Sequence, residues 1–136
     1  MKKPNQSGFT LMELTVAIVV MSILAAVAIP RLMRAQNRAR IGAAHADLDQ
    51  FRHALGLFIV DHPDYPTSDY NSVGALRAVL IDENGDAYMT LSDGVNFASF
   101  SYEYDDSVVP TSYEITVTAL DNGNTTLIAR PDGVFR

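Results

Sequence analysis

Between Phe9 and Ile29 the chain has 21 residues and a single charge, Glu13. At ~1.5 Å per residue, a helix of that length reaches ~30 Å, enough to cross the hydrocarbon core of a bilayer. No other property restricts the fold as strongly. A run this apolar must be buried in lipid or against copies of itself, because in water its surface is strongly unfavourable. Lys2 and Lys3 precede it, and basic residues ahead of an apolar span keep that end in the cytoplasm. The expected arrangement is a single-pass helix with a cytoplasmic N-terminus and the rest of the chain on the far side.

The order of the segments is not that of an ordinary secretory signal, which places its apolar core before a small-residue cleavage site. Here the small pair Ser7-Gly8 comes first, so a cut after Gly8 removes a short polar leader and leaves the apolar helix on the mature protein. The stretch Gly8-Phe9-Thr10-Leu11-Met12-Glu13-Leu14, followed by the apolar run and Pro30, resembles the prepilin signal of type IV pilins and type II secretion pseudopilins. The resemblance is strong from Lys2 to about Pro30 and continues more weakly to about Leu76. It implies cleavage by a membrane prepilin peptidase between Gly8 and Phe9, N-methylation of Phe9, and assembly roles for Glu13 and Pro30. The implied partners are identical subunits in a helical filament, the peptidase, an inner-membrane assembly platform, and inner-membrane lipid before assembly.

Glu13 needs a physical reason for its place. A carboxylate inside an apolar span is costly and is tolerated best when paired. After cleavage the nearest positive charge is the amine of Phe9, one helical turn away. In the family the corresponding glutamate is held to neutralise that amine on a neighbouring subunit. The plainer alternative is a carboxylate at the lipid interface without a partner.

Composition bounds the remainder. There is no Cys, so neither a disulfide nor thiol chemistry is available. Many type IV pilins close a C-terminal loop with a disulfide, and its absence moves the resemblance toward the major pseudopilins or toward pilins that staple the loop some other way. The net charge of -6 is unevenly spread. Arg31, Arg34, Arg38 and Arg40 follow the apolar run. From Ile41 onward 15 acidic side chains face four arginines, a net of -11. Such an acidic part is not suited to nucleic acid as a main partner. The arginine collar suits lipid headgroups, the phosphates of extracellular DNA, or burial and pairing on assembly.

Pro30 lacks a donor and is expected to kink or locally open the helix without ending it, since residues 31–40 contain no further Pro or Gly. Ile41, Ala44, Leu48, Phe51, Leu55, Phe58 and Ile59 then recur at three- and four-residue spacing, an apolar stripe on one helix face. Gly42 and Gly56 weaken that helix and suggest close packing. Asp61-His62-Pro63 ends it, and a proline-rich loop leads to Tyr70. The segment Tyr65-Pro66-Thr67-Ser68-Asp69 with Gly74-Ala75-Leu76 resembles the region after the long helix in major pseudopilins. Residues 72–81 predict a short helix with Ser72 as N-cap. Strands are predicted at Tyr88–Leu91, Phe97–Tyr104, Tyr113–Leu120 and Thr125–Arg130, with Asp121-Asn122-Gly123-Asn124 as a hairpin turn and a short end at Val134-Phe135. The fold class expected is α+β. A pilin-like long N-terminal helix, apolar in its first half and amphipathic in its second, packs on a C-terminal antiparallel sheet of three to four strands. The divisions are 1–8 leader, 9–30 membrane and filament-core helix, 31–62 amphipathic half, and 63–136 globular head.

Other sites are weaker. Asp82, Asn84 and Asp86 alternate as calcium ligands do, but an EF-hand loop starting at Asp82 calls for Gly where Ala87 stands and Glu where Asp93 stands. An acidic solvated turn is the simpler reading. Major pseudopilins often bind calcium in their C-terminal loops, and Asp105, Asp106 and Asp121 fall in that region without a defined motif. His45 and His53 are eight apart, which does not make a metal pair on one turn, and His62 stands apart from both. No glycine-flanked nucleophile appears, so no catalytic residue is assigned. No cofactor is expected apart from this weak calcium possibility. The chain is read as a non-enzymatic structural subunit of a type IV pilus-like filament, held in the inner membrane and then in a periplasmic or cell-surface polymer. Two alternatives stand beside it: a type II secretion pseudopilin acting as a periplasmic piston in protein export, and a membrane-tethered binding module that never polymerises.

Overall fold

The computed structural model describes residues 8–90, 96–107 and 111–136. The chain divides into two compact units, Met1–Ala35 and Gln36–Arg136. Helix α1 is assigned from Leu11 to Asp61.

In the first unit every described side chain of the helix is exposed, Val16, Ile18, Ile23 and Leu24 among them. Two hydroxyls inside the apolar run bond back to the helix itself: Thr15 donates to the Leu11 carbonyl and Ser22 to that of Ile18, both at 2.8 Å. No polar group of theirs is left for an apolar surrounding to strand. Pro30 lies inside α1, and the helix continues through it. The expected opening is therefore not a feature of the single subunit. Pro removes one amide donor, while Ala25, Ala26, Ala28, Leu32 and Met33 on either side are good helix formers.

In the second unit the amphipathic part of α1 buries Ala44, Leu48, Phe51, Ala54, Leu55 and Phe58, with Ile41 partly covered. Ile59 does not join them. It remains 39% exposed, and Ala54 holds a buried position that the stripe had not included. Nothing lies within 4 Å of where a Cβ would sit on Gly42 or Gly56, so neither marks close packing. The helix ends as the His62 amide bonds to the Phe58 carbonyl at 2.9 Å, with the two rings stacked at 3.9 Å ahead of Pro63.

Helix α2, Val73–Val79, starts at Ser72, whose side chain accepts from the Ala75 amide at 3.2 Å. It contributes Leu76, and Leu80 follows as the second buried anchor. Residues 88–90 of the strand expected at Tyr88–Leu91 are not strand, and Leu91 lies outside the described residues. The tyrosine instead donates its hydroxyl to Asp61, which holds its pKa up at about 12, and Ala87 makes an isolated bridge to Ile81.

The sheet is an antiparallel meander in the order β1 (Phe97–Asp105), β2 (Ser112–Ala119), β3 (Thr126–Arg130) and β4 (Gly133–Phe135). Strand β2 alternates cleanly, burying Tyr113, Ile115, Val117 and Ala119 against the helix stripe. Phe51 of α1 meets Phe100 of β1 at 5.4 Å between ring centres. At the β2–β3 turn the buried Asp121 accepts from the Gly123 and Thr125 amides and from the Thr125 hydroxyl. A Cβ on Gly123 would meet that carboxylate at 3.0 Å, a tight approach that glycine avoids. The free edge of β1 is closed by Tyr70, which exchanges both backbone hydrogen bonds with Tyr102 at 3.0 and 2.8 Å.

Candidate functional site

The first turn of α1 is where polar chemistry meets the apolar run. Thr10 sits just before Leu11, the first helical residue, and Glu13 is the third. The Thr10 hydroxyl accepts from the Glu13 amide at 3.2 Å. In return both the amide and the hydroxyl of Thr10 donate to Glu13 Oε2, each at 2.9 Å. This is a reciprocal cap: each residue satisfies an amide that the helix start would leave without a partner. The carboxylate is thereby folded back over the helix start, where the N-terminal end of the dipole favours negative charge.

Sequence reasoning paired Glu13 with the Phe9 amine and passed over Thr10. The signal was present, because Thr-x-x-Glu ahead of an apolar run is a capping-box pattern. Phe9 itself is 91% exposed, and among the described residues nothing lies within 4 Å of a Cβ position on Gly8. Lys2, Lys3 and Ser7 of the leader lie outside the described residues. Pro30, the remaining assembly candidate, is far along the same helix and exposed.

In the head, Asp82 directs both carboxylate oxygens into its own turn. Oδ1 accepts the Asn84 and Asp86 amides at 2.9 and 2.7 Å, and Oδ2 accepts from the Asn84 side chain at 3.2 Å. These bonds, the Asp86 amide first, hold its carboxyl below the usual range. Asp86 joins through its backbone. Asp93, the end of the EF-hand comparison, is outside the described residues. Asp121 is likewise occupied by its turn, and Asp105 accepts from Ser107. Among the described residues no three His, Asp or Glu side chains come together as a metal cage. His45 pairs with Asp49 at 3.2 Å, which also meets Arg52 at 2.9 Å, on the exposed face of α1.

A groove of about 550 Å³ runs between the end of α1, the Pro63–Tyr65 loop and the β3–β4 turn. Its charged groups are largely committed. Arg130 pairs with Glu114 at 2.7 Å, and Asp64 accepts from Tyr104, Thr111 and the Tyr65 amide. The Thr111 hydroxyl, then that of Tyr104, holds the Asp64 carboxyl below its ordinary pKa. This arrangement clamps the loop to the sheet.

The family described as the prokaryotic N-terminal methylation motif matches residues 3–29. Type II secretion system core protein G of Aeromonas hydrophila is 31% identical over 112 residues, covering 69% of this chain and 78% of that protein. Its namesake from Pseudomonas aeruginosa is 29% identical over 112 residues, covering 69% and 79%. The one from Escherichia coli is 28% identical over 108 residues, covering 66% and 74%.

Proposed function

The chain belongs to the family of type II secretion system core protein G, and from that membership we propose that it is a pseudopilin serving protein export. The residues alone rank a type IV pilus-like subunit first. The relatives reverse that order, since those named above carry the secretion-system name and match beyond the shared N-terminal motif.

In this reading a prepilin peptidase cuts between Gly8 and Phe9, the new amine of Phe9 is methylated, and the apolar helix waits in the inner membrane. An assembly platform then transfers subunits into a helical polymer whose core is bundled apolar helices. A repeated contact that does not close on itself yields such a filament. The head acts by shape and surface, with no catalytic step.

The observation that carries the proposal is the 31% identity to a type II secretion system core protein G over 112 residues, and the capped Glu13 at the start of an exposed apolar helix supports its assembly step. A lone anchor would insert more readily without that carboxylate. Subunits that must match one charge to another in an apolar surrounding require it, because an unpaired partner there is costly. Thr10 keeps the carboxylate at the helix start, where an incoming amine would meet it.

Deleting the gene and measuring exported proteins in the medium tests the proposal. Loss of export, restored by the wild type and not by Glu13→Leu although that variant is inserted and cleaved, supports it. Glu13→Asp, with a shorter reach, should restore partially. Normal export in the deletion strain together with loss of a surface filament would return the pilus reading to first place. Normal export and no polymer of either kind would favour a tethered module.

A further inference from the structure

We propose that Arg31 and Arg34 form a headgroup site for anionic phospholipid at the outer end of the apolar span. The inference rests on the membrane-anchored reading above and adds a ligand to it.

Both arginines belong to the first unit and lie on α1 directly after Pro30. Three residues apart, they are neighbours on the helix surface, with Cβ atoms roughly 5–6 Å from each other. Both are exposed. Arg34 uses Nε on the Pro30 carbonyl at 3.4 Å, which leaves its terminal nitrogens to other partners. Arg31 makes no hydrogen bond or ion pair among the described residues. The only described carboxylate of the unit is Glu13, at the opposite end of the helix and bound to Thr10. The unit thus holds two guanidinium groups and no counter-charge for them.

Depth along the helix supplies the ligand. If Phe9 to Ile29 fills the ~30 Å hydrocarbon core, the headgroup layer occupies roughly the next 5–8 Å. At ~1.5 Å per residue, Arg31 and Arg34 fall about 3 and 7.5 Å beyond Ile29, within the outer limit of that layer. A planar guanidinium suits bidentate contact with phosphate oxygens. Val27 and Leu24, 54% and 60% exposed, stand one and two turns below Arg31 on the same helix face, at the level of the acyl chains. Apolar surface directly below the guanidinium pair favours a lipid over free phosphate, which has nothing to place against Val27 and Leu24. A lipid counter-charge also answers a conflict in the sequence. Arginines at the exported end of a span would ordinarily draw that end toward the cytoplasm, and a neutralising headgroup relieves the pull.

The test uses the full processed chain in detergent micelles, titrated with phosphatidylglycerol or phosphatidylcholine of matched acyl chains, with bound lipid counted by native mass spectrometry. Each arginine should contribute about fivefold, so wild type should favour phosphatidylglycerol by about 25-fold. The R31Q/R34Q variant should lose that preference, while Arg136→Gln should keep it. Equal binding of the two lipids by wild type, or an unchanged preference in R31Q/R34Q, would overturn the proposal. Displacement of phosphatidylglycerol by equimolar inorganic phosphate would overturn its lipid identity. Carbonate extraction from vesicles separates the two levels. A chain stripped from vesicles of either lipid defeats the anchor reading itself, whereas firm retention without lipid preference defeats only the headgroup site.

Discussion

Replacing Tyr102 by Phe removes one oxygen from the centre of the head and tests how its loop is held. Tyr102 is fully buried, its hydroxyl donates to the Pro66 carbonyl at 2.9 Å, and its ring lies 5.9 Å from that of Tyr113. Burial pushes its hydroxyl pKa well above the ordinary tyrosine value. The phenylalanine ring keeps the packing, so the change isolates a single bond. A buried carbonyl that loses its donor costs about 1–3 kcal/mol. For a head of this size each kcal/mol lowers Tm by about 4–8 °C, which puts the expected drop near 10 °C. Thermal unfolding of a fragment beginning at Gln36, followed by far-UV circular dichroism, measures it, and urea unfolding should show a lower midpoint with an unchanged slope m because the buried surface is the same. Tyr65→Phe is the control, since the Tyr65 hydroxyl makes no hydrogen bond among the described residues. If Tyr102→Phe were no more destabilising than Tyr65→Phe, the hydroxyl-to-Pro66 tether would be without energetic weight and the reasoning would fail.

Gly8→Val should block leader removal, and mass spectrometry of the mature chain should otherwise place its N-terminus at Phe9; any other start would remove the assigned cleavage site. In the polymer the stretch from Ser22 to Pro30 is expected to lose helical hydrogen bonds, because Pro30 supplies no donor and Ser22 bonds back to Ile18. A filament map with an unbroken helix there would refute this. Acid stability follows from Asp64 and Asp121, whose carboxyl pKa values are lowered in the fold, Asp64 chiefly by the Thr111 hydroxyl and Asp121 chiefly by the Thr125 amide. Groups with depressed folded pKa values contribute stability that is fully present above the unfolded value near 4 and is lost as pH falls through the folded one. Head stability should therefore decline below about pH 4, and Asp64→Asn with Asp121→Asn should flatten that decline. An acid limb as steep in the double variant as in wild type would contradict it. Gly123→Ala should destabilise the β2–β3 turn, since the added methyl meets the Asp121 carboxylate at 3.0 Å. An unchanged Tm in that variant would show that the turn can yield.

What the residues alone decide is local in origin. The apolar run, the leader order, the Ser72 cap, the alternation of β2 and the Asp121–Asn124 turn each need only a few neighbouring positions to be read, because periodicity and capping are set within one or two turns or strand repeats. The Thr10–Glu13 cap is legible on the same basis, as Thr-x-x-Glu ahead of an apolar run. The tertiary structure alone decided which stripe residues are covered. Ala54 and Ile59 both fit a helical face, but in the folded head Ala54 is inaccessible and Ile59 is not. It alone joined Asp64 to Tyr104 and Thr111, Asp47 to Asn96, and Tyr70 to Tyr102, and it turned Tyr88 from an expected strand residue into a donor to Asp61. These partners stand 27 to 49 residues apart in the chain, and no repeat of 2.0 or 3.6 residues carries information over that distance. Their pairing is set by strand register and by where the loop after α1 lands on the sheet, which exist only once the head has folded.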